Sequence, residues 1–289
     1  MSEPIYHVDG ELVPASEATV SVDDRGFRYG DAAFETVRLY GGTIFEWDAH
    51  ADRLAGTCEL LSLDHGLPRG ELRGRIEEAV AANGLADAYA RLSITRGVQP
   101  GKLTPSPAVD PTVVVYVASL PRGGVDGEPV PDGHATLETV ETRRVPDEAI
   151  PANAKTHNYL NGILARLELT EGDEALVRSL DGAVAEGTTS NVFVVDDGEL
   201  VTPPVGDVAL PGITRRVVIE LAAEAGIPTA ERRLEPADVR GADEVFLTNT
   251  TGEVWPVEAV DGHAFDAPGP ITDRLATLFD ERVERRCYR

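Results

Sequence analysis

Lysine is almost missing from this chain: 289 residues hold two, Lys102 and Lys155, against 24 arginines. Cysteine is as scarce. Cys58 and Cys287 are too few and too far apart for a disulfide framework or a metal knuckle. The six histidines show no paired metal-ligand spacing, so no metal is expected. No apolar run approaches the ~20 residues of a membrane span, and no signal-peptide pattern is read at the start. Basic charge is short too: 26 bases face 50 acids, a net charge of −24. Such a surface repels nucleic acid and anionic lipid, which argues against both as partners. The acids are dispersed along the chain, not gathered into a tail. Dispersed acid with little lysine resembles the surface of a halophile's cytoplasmic protein, and that is the expected compartment. A hydrophobic fraction of 42% suffices for real cores, and the length allows one large domain or two ordinary ones.

A lysine that survives such a composition has a task arginine cannot perform. Arginine stays protonated, whereas lysine becomes a nucleophilic amine once its surroundings lower its pKa. Lys102 lies in Gln99-Pro100-Gly101-Lys102, a loop pattern where solvation alone explains it. Lys155 lies in Pro151-Ala152-Asn153-Ala154-Lys155-Thr156-His157-Asn158-Tyr159, just ahead of a helical pattern, and is the chemical candidate.

The chain reads as mixed α/β, of the α+β type, without the regular alternation of a doubly wound sheet. Asp9-Gly10 and Asp197-Gly198 predict hairpins, the second over residues 191–200. Strands are expected over 33–40, 43–45, 89–95, 112–120 and 244–247. Asp48 is a candidate cap for a helix with Leu54, Cys58 and Leu61 on one face. Leu72, Ile76 and Val80 mark a second helix ending at Gly84. Leu160, Ile163, Leu164 and Leu167 make a third stripe, and 217–225 a further helix ending at Gly226. The glycines and prolines of 121–133 read as a linker between an N-terminal domain, 1–120, and a C-terminal domain, 134–289, that carries Lys155.

The densest chemical signal runs from 186 to 215: Glu186-Gly187-Thr188-Thr189-Ser190-Asn191-Val192-Phe193, then Leu200-Val201-Thr202, then Leu210-Pro211-Gly212-Ile213-Thr214-Arg215. Pro211-Gly212-Ile213-Thr214 is a turn opening a helix, where free backbone N–H groups and a hydroxyl suit phosphate, although most such turns bind nothing. Glu186 stands at a strand end, either as an ordinary exposed acid or as a carboxylate that requires a partner.

These elements together resemble the class IV aminotransferases, the fold-type IV pyridoxal-phosphate enzymes. The resemblance extends to Asp24–Thr36, His50-Ala51-Asp52-Arg53-Leu54, Lys155–Tyr159, Phe246–Thr251 and Gly269-Pro270-Ile271-Thr272, nearly the whole chain. It implies two small α/β domains with pyridoxal 5'-phosphate between them. It makes Lys155 the Schiff-base lysine and Cα proton shuttle, and Glu186 the partner of the pyridine nitrogen. Arg53, Gly212, Ile213, Thr214 and Thr250 would hold the phosphate, Tyr159 would face the phenolic oxygen, and Leu210 would pack under the ring. Tyr29, Phe34, Thr36, Arg38, Tyr89, Arg91 and Thr251 would face the substrate. A homodimer is implied as well.

The family divides by reaction. Phe34-Glu35-Thr36-Val37-Arg38 and the Lys155-to-Tyr159 interval resemble the aminodeoxychorismate lyase and D-amino-acid branches; the branched-chain enzymes usually carry Gly where Thr36 stands. Tyr89-Ala90-Arg91 and Arg38 resemble the branched-chain enzymes. The Arg-x-His pair of the D-amino-acid branch is replaced here by Gly101-Lys102-Leu103. The first expectation is 4-amino-4-deoxychorismate lyase, releasing pyruvate and 4-aminobenzoate for folate. The alternative is an L-branched-chain aminotransferase using 2-oxoglutarate, and a third reading is a non-catalytic cofactor-binding or amine-sensing protein. Arg91 has two readings, a substrate-carboxylate partner or a surface ion pair. Arg96 meets either a carboxylate or solvent.

The charge makes one prediction. At −24, self-repulsion strains the compact state, and salt screens it over ~3 Å at 1 M against ~30 Å at 0.01 M. The unfolding midpoint should rise from low to molar salt; a midpoint that stays put would refute the halophile reading.

Overall fold

Asp9 and Gly10, both with positive φ (48° and 97°), turn the chain between β1 (Ile5–Val8) and β2 (Glu11–Pro14) as the sequence predicts. The computed structural model describes residues 3–125, 130–131, 133–206 and 208–288. It divides into two units: Met1–Glu128 with Ala154–Asn158 and Arg285–Arg289, and Pro129–Asn153 with Tyr159–Glu284.

In the first unit the hairpin leads to α1 (Arg25–Tyr29), which the Asp24 carboxylate caps by accepting from the amides of Gly26 and Phe27. Then come β3 (Ala32–Tyr40), β4 (Thr43–Ile44), α2 (Trp47–Leu60), α3 (Arg69–Ala82), β5 (Ala88–Thr95) and β6 (Val113–Ser119). The six strands pair antiparallel in the order β2-β1-β6-β5-β3-β4. Ala33, Val37, Leu39, Ala90, Leu92 and Ile94 form one face, buried against Leu54, Cys58, Leu72, Ile76 and Val80 of the helices. Strand alternation puts Phe34, Thr36 and Arg38 of β3, and Tyr89, Arg91 and Ser93 of β5, on the opposite face.

Asp48 does not cap α2. Glu46 occupies the N-cap with φ 52° and no side-chain hydrogen bond, and Asp48 lies within the first turn, where its charge meets the positive end of the helix. Cys58 and Cys287 are free thiols.

The second unit contains β7 (Ala135–Arg143), α4 (Leu160–Leu167), β8 (Glu174–Arg178), β9 (Val184–Glu186), β10 (Asn191–Asp196) and β11 (Glu199–Thr202). After these come α5 (Ile213–Glu224), β12 (Thr229–Glu231), α6 (Pro236–Gly241), β13 (Glu244–Asn249), β14 (Glu253–Val260), β15 (His263–Ala264) and α7 (Pro270–Cys287). The main path of its nine-stranded sheet is β12-β11-β10-β13-β14-β7-β8-β9, with β15 on β14. Val192, Val194, Val201, Val245, Leu247 and Val257 fill its core.

Two short pieces depart from the expected division at 134. Residues 154–158, with Lys155, and residues 285–289 belong to the first unit. The reason is local pairing: Thr156 bridges Ala33, and Tyr288 donates to the Asp87 carboxylate. Of the expected linker, 126–129 and 132 lie outside the described residues. The stripe on α4 is not a core stripe within its unit: Leu160, Ile163, Leu164 and Leu167 are 48–76% exposed, and the helix buries Ala165 instead. Among the described residues no helix is long and apolar enough to cross a membrane, and no cluster suits a metal ion.

Two glycines calibrate the backbone. Gly84 has φ +65° and open space around a would-be Cβ; Gly97 has φ +79° and would place a Cβ 1.7 Å from the Asp110 carbonyl oxygen. Gly84→Ala should cost about 1–2 kcal/mol, the left-handed penalty alone. Gly97→Ala should cost clearly more, because Asp110 backbone must move. Equal losses in denaturant titrations would refute the close approach.

Candidate active site

Lys155 is aimed by backbone pairing. Phe34 N–H donates to the Lys155 carbonyl (3.0 Å) and His157 N–H donates to the Ala32 carbonyl (3.1 Å), on either side of the antiparallel bridge Ala33–Thr156. Ala33 and Thr156 are buried. Alternation therefore turns Lys155 and His157 to the other face, with Phe34 and Arg91. The Lys155 amide donates to Thr57 Oγ1 (3.0 Å). Lys155 Nζ lies 4.5 Å, and the Arg91 guanidinium carbon 3.7 Å, from the centroid of the Phe34 ring, so one ring meets both an amine and a permanent cation.

Arg53 projects from α2. Its Nε and Nη2 donate to the two oxygens of Glu35, at 2.8 and 2.7 Å, and Glu35 Oε2 also meets His50 Nδ1 at 2.8 Å. Glu35 is fully buried. Burial raises its pKa, but the charge and hydrogen bonds of Arg53, then those of His50, outweigh burial and bring it down to about 2. Glu35 thus fixes the guanidinium while using two of its five N–H donors.

In the second unit, Glu186 closes β9. Its Oε1 accepts from Arg144 Nε (2.6 Å) and its Oε2 from the Leu210 amide (2.9 Å). A carboxylate offers about four acceptor positions, so capacity remains for a ring N–H. Asn191 Nδ2 donates to the Leu210 carbonyl (2.9 Å), which pins the same residue from the other side. A Cβ on Gly212 would stand 2.0 Å from Asn191 Oδ1, so this cradle admits only glycine. Gly212 is the N-cap of α5 and offers no side-chain hydrogen bond to the helix start at Ile213 and Thr214. Such an end suits phosphate. Thr248 Oγ1, on the strand paired with Asn191, is buried with no hydrogen-bond partner. The donor set and the glycine cradle fit pyridoxal 5'-phosphate.

The other expected residues fall as follows. Tyr159 is the N-cap of α4 and partly buried. Thr250 and Thr251 follow β13, with Thr251 Oγ1 donating to Asn249 Oδ1 (3.1 Å). Tyr89 meets Tyr116 edge-on at 6.0 Å. Arg38 lies over Tyr40 (4.9 Å), and Tyr29 faces Arg25 and Arg28 of its own helix. Thr36 stands opposite Arg91 in the β3–β5 register. Arg96 meets a carboxylate, not solvent: it grips both oxygens of Asp31 and the carbonyls of Leu61 and Ser62, a structural role. Lys102 is exposed in its loop.

Sequence reasoning missed Arg144, Thr57 and the roles of Glu35 and Asn191. Glu35 and Asn191 stood inside the quoted motifs. Arg144 carried no local signal, because its partner is 42 residues away.

The first unit offers an amine on an aromatic face and a fixed guanidinium; the second offers a helix start next to a braced carboxylate. These are the groups that a pyridoxal-phosphate enzyme requires. The sequence model described as "Amino-transferase class IV" matches residues 32–260, and the chain belongs to that family. It is 38% identical to the "Putative branched-chain-amino-acid aminotransferase" of Methanocaldococcus jannaschii, over 95% of each chain. To the D-alanine aminotransferase of Bacillus licheniformis it is 31% identical, again over 95% of each. Among solved structures, the branched-chain aminotransferase of Thermoproteus uzoniensis with norvaline superimposes with a TM-score of 0.89 at 31% identity, covering 98% of this chain and 95% of that one. The branched-chain aminotransferase of Escherichia coli gives 0.88 at 28% identity, covering 96% and 94%. The 4-amino-4-deoxychorismate lyase of Pseudomonas aeruginosa gives 0.82 at 31%, covering 97% and 98%. The protein is a pyridoxal-phosphate-dependent enzyme of fold-type IV, which ends the non-catalytic reading.

Two tests follow from the geometry. Lys155→Ala should abolish the visible absorbance of bound cofactor and its fixation by borohydride, and Lys102→Ala should preserve both; the reverse pattern would reassign the lysine. The second concerns acid. The folded pKa of Glu35 is depressed, so its stabilisation is complete above ~4.5 and is lost as pH falls toward 2. That interval corresponds to on the order of 3 kcal/mol. Glu35→Gln should destabilise the protein at pH 7 and flatten its stability between pH 4.5 and 2. A mutant with the wild-type acid profile would remove Glu35 from that role.

Proposed function

We propose that the protein is an L-amino-acid aminotransferase of the branched-chain type, passing the amino group of an aliphatic amino acid to 2-oxoglutarate. The observation that carries this reading is the Arg91 guanidinium stacked on Phe34, on the ring that also faces the Lys155 amine. A fixed, bidentate cation near the Lys155 amine suits 2-oxoglutarate, an amino acceptor that brings a second carboxylate. The M. jannaschii relative and the branched-chain structures support the same reading more than the lyase does. That displaces the first expectation, folate-directed lyase chemistry. Thr36 in its segment and the Lys155-to-Tyr159 interval favoured the lyase, but both were shared with the D-amino-acid branch, and Thr36 stands opposite Arg91, where a small hydroxyl side chain is compatible with either reaction. The D-alanine relatives carry less weight here. In place of an Arg-x-His carboxylate trap, Gly101-Lys102-Leu103 is an exposed loop whose Lys102 and Leu103 carbonyls accept from Arg25.

The bound cofactor supplies an electron sink for charge developing at the substrate Cα. The chain does the rest. Lys155 Nζ takes the Cα proton and returns it. The Glu186 carboxylate, braced by Arg144 and Leu210, holds a proton at the pyridine nitrogen. The start of α5 would hold an anionic group such as phosphate, and Glu35 keeps the Arg53 guanidinium in one orientation for an anion. Arg91 binds the second carboxylate of the amino acceptor 2-oxoglutarate. Glu186→Gln should retain cofactor but slow single-turnover chemistry, since an amide cannot hold that proton. We also propose a cytoplasmic homodimer, with the exposed stripe of α4 as support; light scattering in high salt tests the assembly.

The deciding experiment incubates the enzyme in high salt with L-leucine plus 2-oxoglutarate, and separately with aminodeoxychorismate. Glutamate should form and pyruvate should not. Arg91→Ala should lower kcat/KM for 2-oxoglutarate roughly ten- to a hundredfold, the value of a lost charged hydrogen bond of about 1.5–3 kcal/mol. Pyruvate without glutamate would restore the lyase.

A further inference from the structure

Arg91 is held at one edge as well as on its face. Its Nε donates to Ser93 Oγ at 3.4 Å, and the same oxygen meets His157 Nε2 at 3.1 Å. Ser93 is buried, stands opposite Phe34 in the strand register, and shares a face with Arg91. The His157 ring meets the Phe34 ring edge-on, with centroids 5.6 Å apart. Lys155, two residues earlier, reaches the same ring. Phe34 is thus the floor, and Ser93 the joint, between the catalytic-lysine segment and Arg91. No carboxylate among the described residues pairs with Arg91, although the chain has 50.

We propose that His157, acting through Ser93, is a positioning residue that aims Arg91 at the second carboxylate of a dicarboxylic substrate. The inference rests on the aminotransferase reading above and deepens it, because it concerns only the half-reaction that uses a diacid.

The chemistry of the joint is consistent. Burial, and then the neighbouring Arg91 charge, lower the pKa of His157 to about 4, with Asp24 opposing. At neutral pH the ring is uncharged, so it brings no second fixed cation to the carboxylate site. A neutral imidazole has one donor and one acceptor nitrogen, and a serine hydroxyl has one proton and two lone pairs. Ser93 therefore accepts from Arg91 and still bonds His157 in either tautomer. With Nε engaged and Phe34 beneath, the guanidinium loses its freedom to swing, and its two terminal nitrogens keep one orientation. Losing that restraint weakens the grip on a distal carboxylate without touching the Lys155 amine. An aliphatic substrate, which has no such carboxylate, does not sense it.

The test compares two amino acceptors with the holoenzyme: 2-oxoglutarate, and 4-methyl-2-oxopentanoate, which lacks the distal carboxylate. His157→Ala and Ser93→Ala should each raise KM for 2-oxoglutarate about three- to tenfold, the value of one neutral hydrogen bond. Turnover number, and KM for the aliphatic acid, should stay within about twofold on the same scale. The double variant should be no worse than either single one. His157→Gln, which keeps a donor and an acceptor near the place of Nε2, should restore most of the loss. Glutarate, an unreactive diacid, should show the same weakening by calorimetry. Equal losses for both acceptors, or a fall in turnover with unchanged KM, would overturn the positioning role. Ser93→Ala serves as the second probe if His157→Ala folds poorly. A wild-type enzyme that makes no glutamate from 2-oxoglutarate would overturn the aminotransferase reading and this inference with it. A wild type that transaminates normally, with variants that do not discriminate, would overturn this inference alone.

Discussion

Three residues of backbone pairing, 155–157 against 32–34, decide which way the Lys155 amine points. Side chains alternate across an extended segment, so a slip of one residue would send Lys155 into the core and Thr156 onto the reactive face. The register is guarded on both sides. Thr156 is buried with Ala33, where a lysine would be a costly unpaired charge. Thr57, from α2, accepts the Lys155 amide and ties the segment to the helix that carries Arg53. The Lys155 amine and the His157 imidazole reach the face of Arg91 through this pairing, and Arg91 takes that face from the β3–β5 register.

Charge is handled in opposite ways inside the two units. In the first, a fully buried carboxylate, Glu35, is used to immobilise a cation. In the second, the Arg144 cation and an amide immobilise a carboxylate, Glu186. Both devices hold one ion in a single orientation through its partners. Preorganisation of this kind removes the reorganisation that a mobile side chain would need when charge develops on a substrate. It also explains why Arg38, Arg96 and Arg53, all in or next to quoted motifs, have different functions. Arg96 is consumed by Asp31 and two carbonyls, and Arg38 lies against Tyr40.

What the sequence revealed was what local chemistry encodes. Asp9-Gly10 and Asp197-Gly198 announced their hairpins because both turn positions require positive φ. Leu72, Ile76 and Val80 announced α3 by period alone. The strands β7 and β14 went unread: β14 carries Pro256 and a mixed pattern, and β7 follows directly on the glycine-rich stretch. Helix α7 was hidden by its charge, with few apolar residues among arginines and acids. At the candidate site, the motifs singled out Lys155, Glu186 and Arg53 as proposed cofactor residues. The pairs Arg144–Glu186 and Ser93–His157 could not, since they join residues 42 and 64 apart and exist only once the chain has folded. The apolar stripe of α4 is there as periodicity predicts, but it is exposed within its unit, because periodicity marks a face and not what lies against it.

The placement of Lys155 in a five-residue return to the first unit has a consequence for the order of assembly. Residues up to 120 contain all six strands of that sheet and the helices that cover its core face, and they leave the ribosome well before residue 155. During synthesis such a unit collapses first, and the returning segment then closes a loop of more than a hundred residues onto the open edge of β3. The entropic cost of that closure grows only logarithmically with length, so the delay is one of timing more than of stability. The six-stranded sheet is therefore made before Lys155 is installed, and residues 285–289 join the first unit later still.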